Sequence, residues 1–360
     1  MAQTISATDT ELQKPINAIF QQTLLRNAQA RAPYFAGTTP GSIQKNGGTA
    51  TIKWRRIENL TPTTTALSEL TTTASYMQGR DSSAASFTDY TATIAKYGQF
   101  YILNEEVDLF NYNGTTDKLM RTLGISAGRS MNMLQRDVVD DNATLVRAAG
   151  AASDGVVTSK ITAASIYSVI NTLSRNSATT FEPMSTGSTN IGTVPILPAY
   201  WGFCHPDVAY DIGQLSGFVS VEKYAGQVST VMGEFGIVSS AGQAVRFIQS
   251  EDATLDANAG GSLGSTGLRS TGGSTIDLYT TAIYGMDAIG SVGLGEQYPD
   301  GVFRAGDDLG PVEVIAKGLG SGGTSDPYNE IQTLAWKSWH AGKILNANWV
   351  RAVRSGATSL

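Results

Sequence analysis

Two copies of a Gly-x-Ser-x-Gly pattern are the first residues in this sequence that could support nucleophilic catalysis. They read GISAG at 124–128 and GGSLG at 260–264. A serine nucleophile needs a tight strand-to-helix turn and a histidine base within reach. The first copy lies inside a predicted long helix, and the second lies inside a Gly/Ser-rich stretch. Both contexts argue against an activated serine, and a serine hydrolase that uses Ser126 remains an alternative hypothesis.

The run Cys204-His205-Pro206-Asp207 places a thiol, an imidazole and a carboxylate next to one another. Neighbouring side chains of a strand point to opposite faces, so this adjacency does not make a catalytic dyad. We expect Cys204 to be a small buried apolar residue, and His205 or Asp207 to cap a helix that begins at Pro206. A cysteine hydrolase that uses Cys204 and His205 is the second enzymatic alternative. Because Cys204 is the single cysteine, an intrachain disulfide and a cysteine-based zinc site are excluded.

Other charged motifs do not match known cofactor or metal sites. The AGKI run at 341–344 lacks both the earlier glycine and the Ser/Thr of a phosphate-binding loop. The acidic runs RDVVDD at 136–141 and RAGDD at 304–308 do not have the spacing of a calcium-binding loop. These motifs therefore give no basis for a catalytic, cofactor or metal site.

The composition favours a protein with many partner contacts over a strongly hydrated monomer. Charged residues make up 16% of the 360 residues, glycines number 39, and the net charge is −6. Soluble domains usually have about 25% charged residues. An acidic chain is not a generic nucleic-acid binder held by phosphate neutralisation. We see neither a secretory signal nor an apolar run of the roughly 18–20 residues that span a bilayer, so we expect synthesis in a cytoplasm and no membrane partner.

Two alternating stretches within 48–103 predict a long β-hairpin. TATIKWRRI places Ile52 and Trp54 on one face, and Lys53 and Arg55 on the other. The Thr/Ser/Ala-rich connection is too long for a tight turn, and a two-stranded ribbon is marginal alone, so we expect it to lie on another chain. The second stretch, FTDYTATIAKYGQFYIL, would bring together Tyr90, Ala92, Ile94, Phe100 and Ile102.

Helical spacing appears in three places. Residues 115–150 carry apolar residues every three or four positions, interrupted only by Asn142, which predicts a helix about 50 Å long. The other two places predict shorter amphipathic helices. Their apolar residues are Ile16, Phe20, Leu24 and Leu25 near the N-terminus, and Ile166, Val169, Ile170 and Leu173 within 161–176.

Strands are predicted after a linker at 177–198. The runs AYWGFC and AVRFIQS predict two strands, and PVEVIAKG predicts a later one.

The stretch QTLAWKSWHAGKILNANWVRAV at 332–353 holds three of the five tryptophans and one of the two histidines. Helical spacing would group Trp336, Trp339, His340 and Lys343 on one face. Strand alternation would instead separate Trp336 and His340 from Trp339. The residues alone leave both interpretations open.

The order of these elements resembles the tailed-phage capsid fold of the Hong Kong 97 type. That fold has a helical N-terminal arm, a two-stranded arm with a long tip, a long helix, a second helix, a mixed domain and returning strands. Three stretches carry a narrower similarity, to the major capsid protein family typified by coliphage N-four. They are YWGFCHPDVAYDI, GEFGIVSSAGQAVRF and TSDPYNEIQTLAWKSWHAGKILNANWVRAVR, so the similarity is strongest from the first of them onwards.

The resemblance implies an α+β capsid fold with four parts. The tryptophan-rich stretch would form two closing strands of the peripheral domain, with tryptophans that pack against the long spine helix as core residues. The implied bounds are 1–47 for the N-terminal arm, 48–103 for the E-loop hairpin, 104–198 with 311–360 for the peripheral domain, about 115–150 for its spine helix, and 199–310 for the axial domain.

The same resemblance implies a structural protein without an active site, which is not an enzyme and needs no cofactor. Identical chains would form the hexamers and pentamers of an icosahedral virion shell around double-stranded DNA, which they would contact weakly and non-specifically. Portal, scaffold and cementing or decoration proteins are the further partners implied, with assembly in the bacterial host cytoplasm. A tail or adhesion structural protein is the other structural alternative.

The hairpin arm also carries the predicted contacts between subunits. Arginine on an extended arm can bind carboxylates of a neighbouring subunit in a bidentate manner. The predicted contact residues are Lys53, Trp54, Arg55, Arg56, Tyr76 and Arg80.

Overall fold

The structure of the chain is a computed structural model. The predicted N-terminal amphipathic helix lies outside the residues that it describes. The described residues, to which every structural statement below refers, are 33–41, 50–58, 62, 64, 86–110, 115–181, 198–223, 233–240, 242–292, 312–319 and 326–360.

Helices and strands are mixed along the described chain, which confirms the predicted α+β class. The α-helices are α1 Glu105–Phe110, α2 Thr115–Asp140, α3 Ala163–Arg175 and α4 Pro206–Gly213. The strands are β1 Thr39–Pro40, β2 Thr51–Ile57, β3 Phe87–Thr93, β4 Ala95–Asn104, β5 Thr144–Arg147, β6 Ala199–Cys204, β7 Phe218–Ser220, β8 Glu234–Ser240, β9 Gln243–Gln249, β10 Leu255–Asp256, β11 Leu278–Tyr284, β12 Ile289–Ser291, β13 Val312–Lys317, β14 Ile331–His340, β15 Gly342–Ile344 and β16 Val350–Ser355.

The largest sheet has the strand order β5-β16-β11-β6-β9-β8-β7, with β10 paired to β11. All seven residues of β11 are buried. Such burial is typical of a strand whose two faces are both covered. Helices α3 and α4 cover one face, where Ile166 and Val169 pack in the same cluster as Tyr200. Tyr34 and the last turn of α2 at Val139 pack on the other face.

Helix α3 confirms the predicted second amphipathic helix. Thr162 caps its start, because the threonine hydroxyl accepts a hydrogen bond from the backbone N–H of Ser165. The stripe that the spacing predicts is buried against the large sheet, and it consists of Ile166, Val169, Ile170 and Leu173.

The long helix α2 ends at Asp140 rather than at residue 150, so this part of the prediction is wrong. Its 26 residues span about 39 Å. The side-chain amide of Asn142 donates to the carbonyl of Val138 at 2.9 Å, which satisfies one of the free carbonyls of the last turn. The chain then forms β5, which pairs with β16 in a parallel register. Local apolar spacing did not reveal this change, because the partner strand lies some 200 residues away in the sequence.

The predicted second strand of the hairpin divides between two sheets. Strand β3 pairs with β2 over its full length, whereas β4 pairs with β14 over ten residue pairs. Tyr90, Ala92 and Ile94 therefore pack at the base of the ribbon, as their alternation predicts. Phe100 and Ile102 do not join them, since both lie in β4 and each is 61% exposed. The longer pairing available with β14 decides where this second half lies.

Strands β13, β14 and β4 form an antiparallel sheet that packs against α2. Trp336 and His340 are buried on the same face of β14, so the strand interpretation of this stretch is confirmed and the helical one is wrong. Trp336 lies in one cluster with Leu123 of α2, as expected for a core tryptophan. Trp349 lies elsewhere, in a 3₁₀ turn before β16, and its indole N–H donates to the carbonyl of Asn176 at 3.0 Å.

Strand pairing connects distant parts of the chain in a way that bears on the predicted domain bounds. The C-terminal strand β16 lies between β5 and β11, inside the large sheet. Strands β13 and β14 lie beside β4, in the sheet that α2 covers. The segment 311–360 therefore contributes to both sheets, and the domain bounds themselves stay a prediction.

The Gly/Ser-rich segment at 253–275 is a compact loop organised around a buried carboxylate. Asp277 accepts hydrogen bonds from the backbone N–H groups of Asn258 and Thr271, at 2.9 and 3.1 Å. The side chain of Asn258, whose φ is 58°, accepts a further bond from the N–H of Gly272. Leu268 anchors the loop in an apolar cluster. Small and polar residues suit this arrangement because the loop is held by hydrogen bonds more than by apolar burial.

Candidate interaction surface

Neither Gly-x-Ser-x-Gly pattern forms a nucleophile elbow. Ser126 lies inside α2, and its hydroxyl donates to the side-chain carbonyl of Gln99 at 2.7 Å rather than to a histidine. Ser262 lies in a β-bridge opposite Thr275. A serine that is not paired with a base has no means of activation.

Cys204 and His205 have separate structural roles. The Cys204 thiol is fully buried in the apolar cluster of the large sheet, and burial raises its pKa well above the usual value. His205 caps α4, because its Nδ1 accepts the backbone N–H of Asp207 at 3.2 Å. Burial lowers the pKa of His205, since it disfavours the charged imidazole. Both structural predictions for this run are confirmed, and the pair is not arranged for catalysis.

Within the ranges that the structure describes, no three His, Cys, Asp or Glu side chains cluster in a way that could hold a metal ion. No helix of the described chain is both long and apolar enough to cross a membrane.

The base of the β2–β3 ribbon packs on its own chain. Ile52 and Trp54 are buried in a cluster with Leu345. Two glycines allow this approach, because a Cβ added at Gly41 or Gly290 would lie 2.7 or 2.8 Å from the Trp54 ring. We expected the ribbon to lie on another chain, but this face of its described part is covered within the subunit.

The outward face of the ribbon carries a cluster with one carboxylate between two cations. Lys53 Nζ lies 2.6 Å from one oxygen of Asp89, and Arg55 Nε lies 2.7 Å from the other. Hydrogen bonds from Arg55, which has the larger effect, and from Lys53 hold the pKa of Asp89 well below its usual range. The Arg55 guanidinium also lies over the ring of Phe87, 5.7 Å from its centroid. The cluster keeps one net positive charge, and it is open to solvent.

Arg56 points the other way, into a groove between the ribbon and the body. It donates to the backbone carbonyl of Leu345 at 2.9 Å and to Glu58 at 3.0 Å, and its guanidinium lies over the ring of Tyr90. The groove has a volume of about 450 Å³, and Trp54 and Trp349 contribute to its walls.

The predicted contact residues thus fall into three groups. Lys53 and Arg55 are exposed on the outward face of the ribbon. Trp54 and Arg56 make contacts within the subunit. Tyr76 and Arg80 lie outside the described residues.

An exposed apolar surface was missed by the sequence reasoning. Phe100 and Ile102 face away from α2, whereas Leu103 on the opposite face of the same strand is buried against the helix. The following helix α1 also has exposed apolar side chains, since Leu109 is 70% and Phe110 is 80% exposed. The signal was present, because the run FYIL is apolar at consecutive positions and so gives the strand two apolar faces.

Comparisons with known proteins match at the level of structure only. No protein-family model and no curated protein matches the chain. The capsid of Ralstonia phage GP4 is similar with a TM-score of 0.55 at 10% identity, covering 90% of this chain and 86% of that chain. The capsid of Cyanophage P-SCSP1u has a TM-score of 0.53 at 11% identity, covering 89% and 87%.

A third similar structure is the head of Helicobacter pylori bacteriophage KHP40. It has a TM-score of 0.53 at 10% identity and covers 91% of both chains. Similarity at such low identity defines the fold, and function has to be argued separately. The chain therefore has the α+β fold of phage capsid proteins, the Hong Kong 97 type.

Proposed function

We propose that the chain is a major capsid protein, a structural subunit that assembles with copies of itself into a closed virion shell. The observation that carries the proposal is the similarity of fold over about nine tenths of the chain to structures described as phage capsids and heads. The Ser126 hydroxyl donates to Gln99 and the His205 ring caps helix α4, so neither Ser126 nor the Cys204 and His205 pair is arranged for a hydrolase reaction. The chain acts as a building block rather than as an enzyme.

The exposed apolar surface supports the same proposal. Phe100 and Ile102 lie beside a strand edge, because β4 is the outer strand of its sheet among the described residues. Unpaired strand edges and contiguous apolar patches favour association with another protein surface. In an assembled shell this surface would be removed from water.

The finer features follow the resemblance to the coliphage N-four family. We infer hexamers and pentamers around double-stranded DNA, with contributions from portal, scaffold and decoration proteins, after synthesis in the bacterial cytoplasm. The E-loop, with Lys53 and Arg55 exposed at its base, would bind a neighbouring subunit. The parts are assigned as the N-terminal arm at 1–47, the E-loop at 48–103, the peripheral domain at 104–198 and 311–360, and the axial domain at 199–310.

Electron microscopy and sedimentation of the purified chain test the proposal. We expect closed, uniform shells with a very high sedimentation coefficient. A monomer or dimer that persists at high concentration contradicts the proposal. Fibres or discrete trimers also contradict it, and they would favour the tail or adhesion alternative.

Deletion of residues 59–86 tests the role of the E-loop. We expect a subunit that still folds, because the base of the ribbon and the sheets keep their contacts within the chain. Shell formation should be impaired, because the deleted tip is proposed to contribute contacts to neighbours. The folded fraction is measured by circular dichroism and assembly by sedimentation. Normal shells from the deletion variant would rule out this role.

A further inference from the structure

A polar junction joins helix α2 to the turn that follows β9. The side chains of Arg129 and Asn132 bind the carboxylate of Asp252, at 2.8 and 3.0 Å. One turn further along the helix, Arg136 donates to the backbone carbonyl of Asp252 at 2.6 Å. These helix positions lie on one face, so a stripe of polar side chains holds the helix against this turn.

The junction continues to the last residue of α2 and into the large sheet. One carboxylate oxygen of Asp140 accepts a hydrogen bond from the Thr254 hydroxyl. The carbonyl of Thr254 in turn accepts the backbone N–H of Thr280 at 3.1 Å. Thr280 is paired with Arg354 across strands β11 and β16, and the Nη1 of Arg354 also binds the carboxylates of Asp154 and Asp256, at 3.1 and 2.6 Å. The end of the helix, the turn and the two central strands therefore meet around Thr254.

Four polar atoms at this meeting point are buried and make no hydrogen bond to any described residue. Two come from charged groups, and two are hydroxyls that can both donate and accept. They are Asp140 Oδ1, Arg354 Nε, Thr280 Oγ1 and Tyr34 Oη.

Burial of such groups without partners is costly, because each loses its bonds to water and gains none in return. The set is complementary, since it contains a carboxylate oxygen, a guanidinium N–H and two hydroxyls. Buried water commonly joins groups of this kind and makes about three hydrogen bonds to them. A cation is a poorer occupant, because the guanidinium N–H of Arg354 can only donate a hydrogen bond and cannot ligate a metal ion.

We propose that buried water joins the Asp140 carboxylate to the Arg354 guanidinium at this junction, with the hydroxyls of Tyr34 and Thr280 completing its hydrogen bonds. The site would link the end of the long helix to the centre of the large sheet. It would thereby keep Asp140 ionised inside the protein.

The pH dependence of stability distinguishes an Asp140 site that holds water from one that holds none. Burial is the largest influence on the pKa of Asp140, and it raises this pKa to about 7 even though Thr254, Arg136 and Arg354 lower it; Asp137 adds to the rise. A dry carboxyl with a raised pKa destabilises the fold as the pH rises through 7. A hydrated carboxylate joined to Arg354 has a lower pKa, so its contribution persists at alkaline pH and is lost on acidification.

The first experiment compares the unfolding temperature of the full chain with that of Asp140→Asn between pH 4 and 9. Asp141→Asn is the matched control, because Asp141 is the next residue, is exposed and shares the helix end. We expect Asp140→Asn to unfold several degrees below the other two proteins at pH 8–9, and the gap to close towards pH 4. An Asp140→Asn protein as stable as the wild type at pH 8–9, or more stable, would overturn the proposal.

A second variant, Thr280→Val, tests the same site even if Asp140→Asn does not fold. Thr280→Val keeps the shape of the side chain and removes the hydroxyl. A hydroxyl bound to buried water stabilises the fold, so we expect the unfolding temperature to fall by a few degrees. A rise would mean that the hydroxyl was dry and unsatisfied, and it would refute the site. In a high-resolution map of the assembled protein, a water within hydrogen-bond distance of both Asp140 Oδ1 and Arg354 Nε is expected, and direct contact between these atoms contradicts the proposal.

Discussion

The large eight-stranded sheet and the small sheet of strands β13, β14 and β4 differ in how their faces are covered. In the large sheet every residue of β11 is buried, and the subunit's own elements cover both faces. In the small sheet α2 covers one face, while Phe100 and Ile102 on the other face are each 61% exposed. Within the described residues, the first sheet is complete in one chain and the second is not.

This difference separates folding from assembly. The large sheet removes its apolar surface from water as the single chain folds, and so it contributes mainly to the stability of the subunit. The small sheet keeps an apolar face and a ten-residue outer strand that can bind a second surface. In a shell subunit, substitutions in the large sheet should therefore change the free energy of unfolding, whereas substitutions on the exposed face of the small sheet should change assembly.

The largest expected effect is on the large sheet, from Phe203→Ala. Phe203 is fully buried and stacks on Tyr34 and Tyr284, at centroid distances of 4.8 and 5.3 Å. Truncation of a buried phenylalanine costs about 3–5 kcal/mol, because it removes apolar burial and leaves a cavity. Chemical denaturation of the unassembled subunit measures this loss. A loss below about 1 kcal/mol would contradict the burial described here.

Acid should weaken the covered face of the small sheet through His340. Burial lowers the pKa of His340 to about 4, whereas a free histidine has a pKa of about 6.5. The folded protein therefore resists protonation, so this stabilisation is complete above pH 6.5 and is lost as the pH falls to 4, by up to about 3 kcal/mol. Unfolding is measured between pH 7 and 4 for the wild type and for His340→Leu. Parallel pH curves for the two proteins would show that His340 is not protected in this way.

Gly290→Ala tests the contact between the ribbon and the body. The added Cβ would lie 2.8 Å from the Trp54 ring, and overpacking of this kind costs about 1–3 kcal/mol. Gly155→Ala is the matched control, because a Cβ there meets nothing within 4 Å. The free energy of unfolding should fall for the first variant and change by less than about 0.5 kcal/mol for the second. Equal values for both variants would indicate that the ribbon does not pack on its own chain in solution.

The smallest effect on stability is expected from Phe100→Ala, which is also the variant that most directly separates folding from assembly. Phe100 is largely exposed, so its truncation should change the free energy of unfolding by less than about 0.5 kcal/mol. Assembly should nevertheless require a higher subunit concentration, because the exposed apolar face contributes to contacts between subunits. Light scattering against subunit concentration measures this shift, with Phe203→Ala as the contrasting variant. Unchanged assembly would mean that this face stays exposed in the shell.

Local patterns predicted those parts that depend on neighbours in the sequence. The stripe of α3 and the cap of α4 at His205 were both predictable, since helix spacing and capping act over three or four residues. The alternation of β14 was also readable, and it narrowed the tryptophan-rich stretch to a strand once its resemblance to a capsid family was considered.

Contacts between distant residues explain why the end of α2 and the second strand of the hairpin were predicted wrongly. The end of α2 at Asp140 depends on the pairing of β5 with β16, and the division between β3 and β4 depends on the pairing of β4 with β14. Residues 95–104 alternate in the same way whether they continue the ribbon or join another sheet. The run FYIL shows that the strand has two apolar faces, but it does not show which of them, the one with Phe100 or the one with Leu103, is left exposed.

Local spacing and short motifs were sufficient to predict the α+β class, the capsid-type resemblance and elements such as α3 and β14. Only the folded chain shows which sheet each strand joins, which face of β4 is left exposed, and that Asp140, Thr280 and Arg354 meet around Thr254. The physical reason is that a strand satisfies its hydrogen bonds only through a partner. The choice of that partner depends on residues far away in the chain.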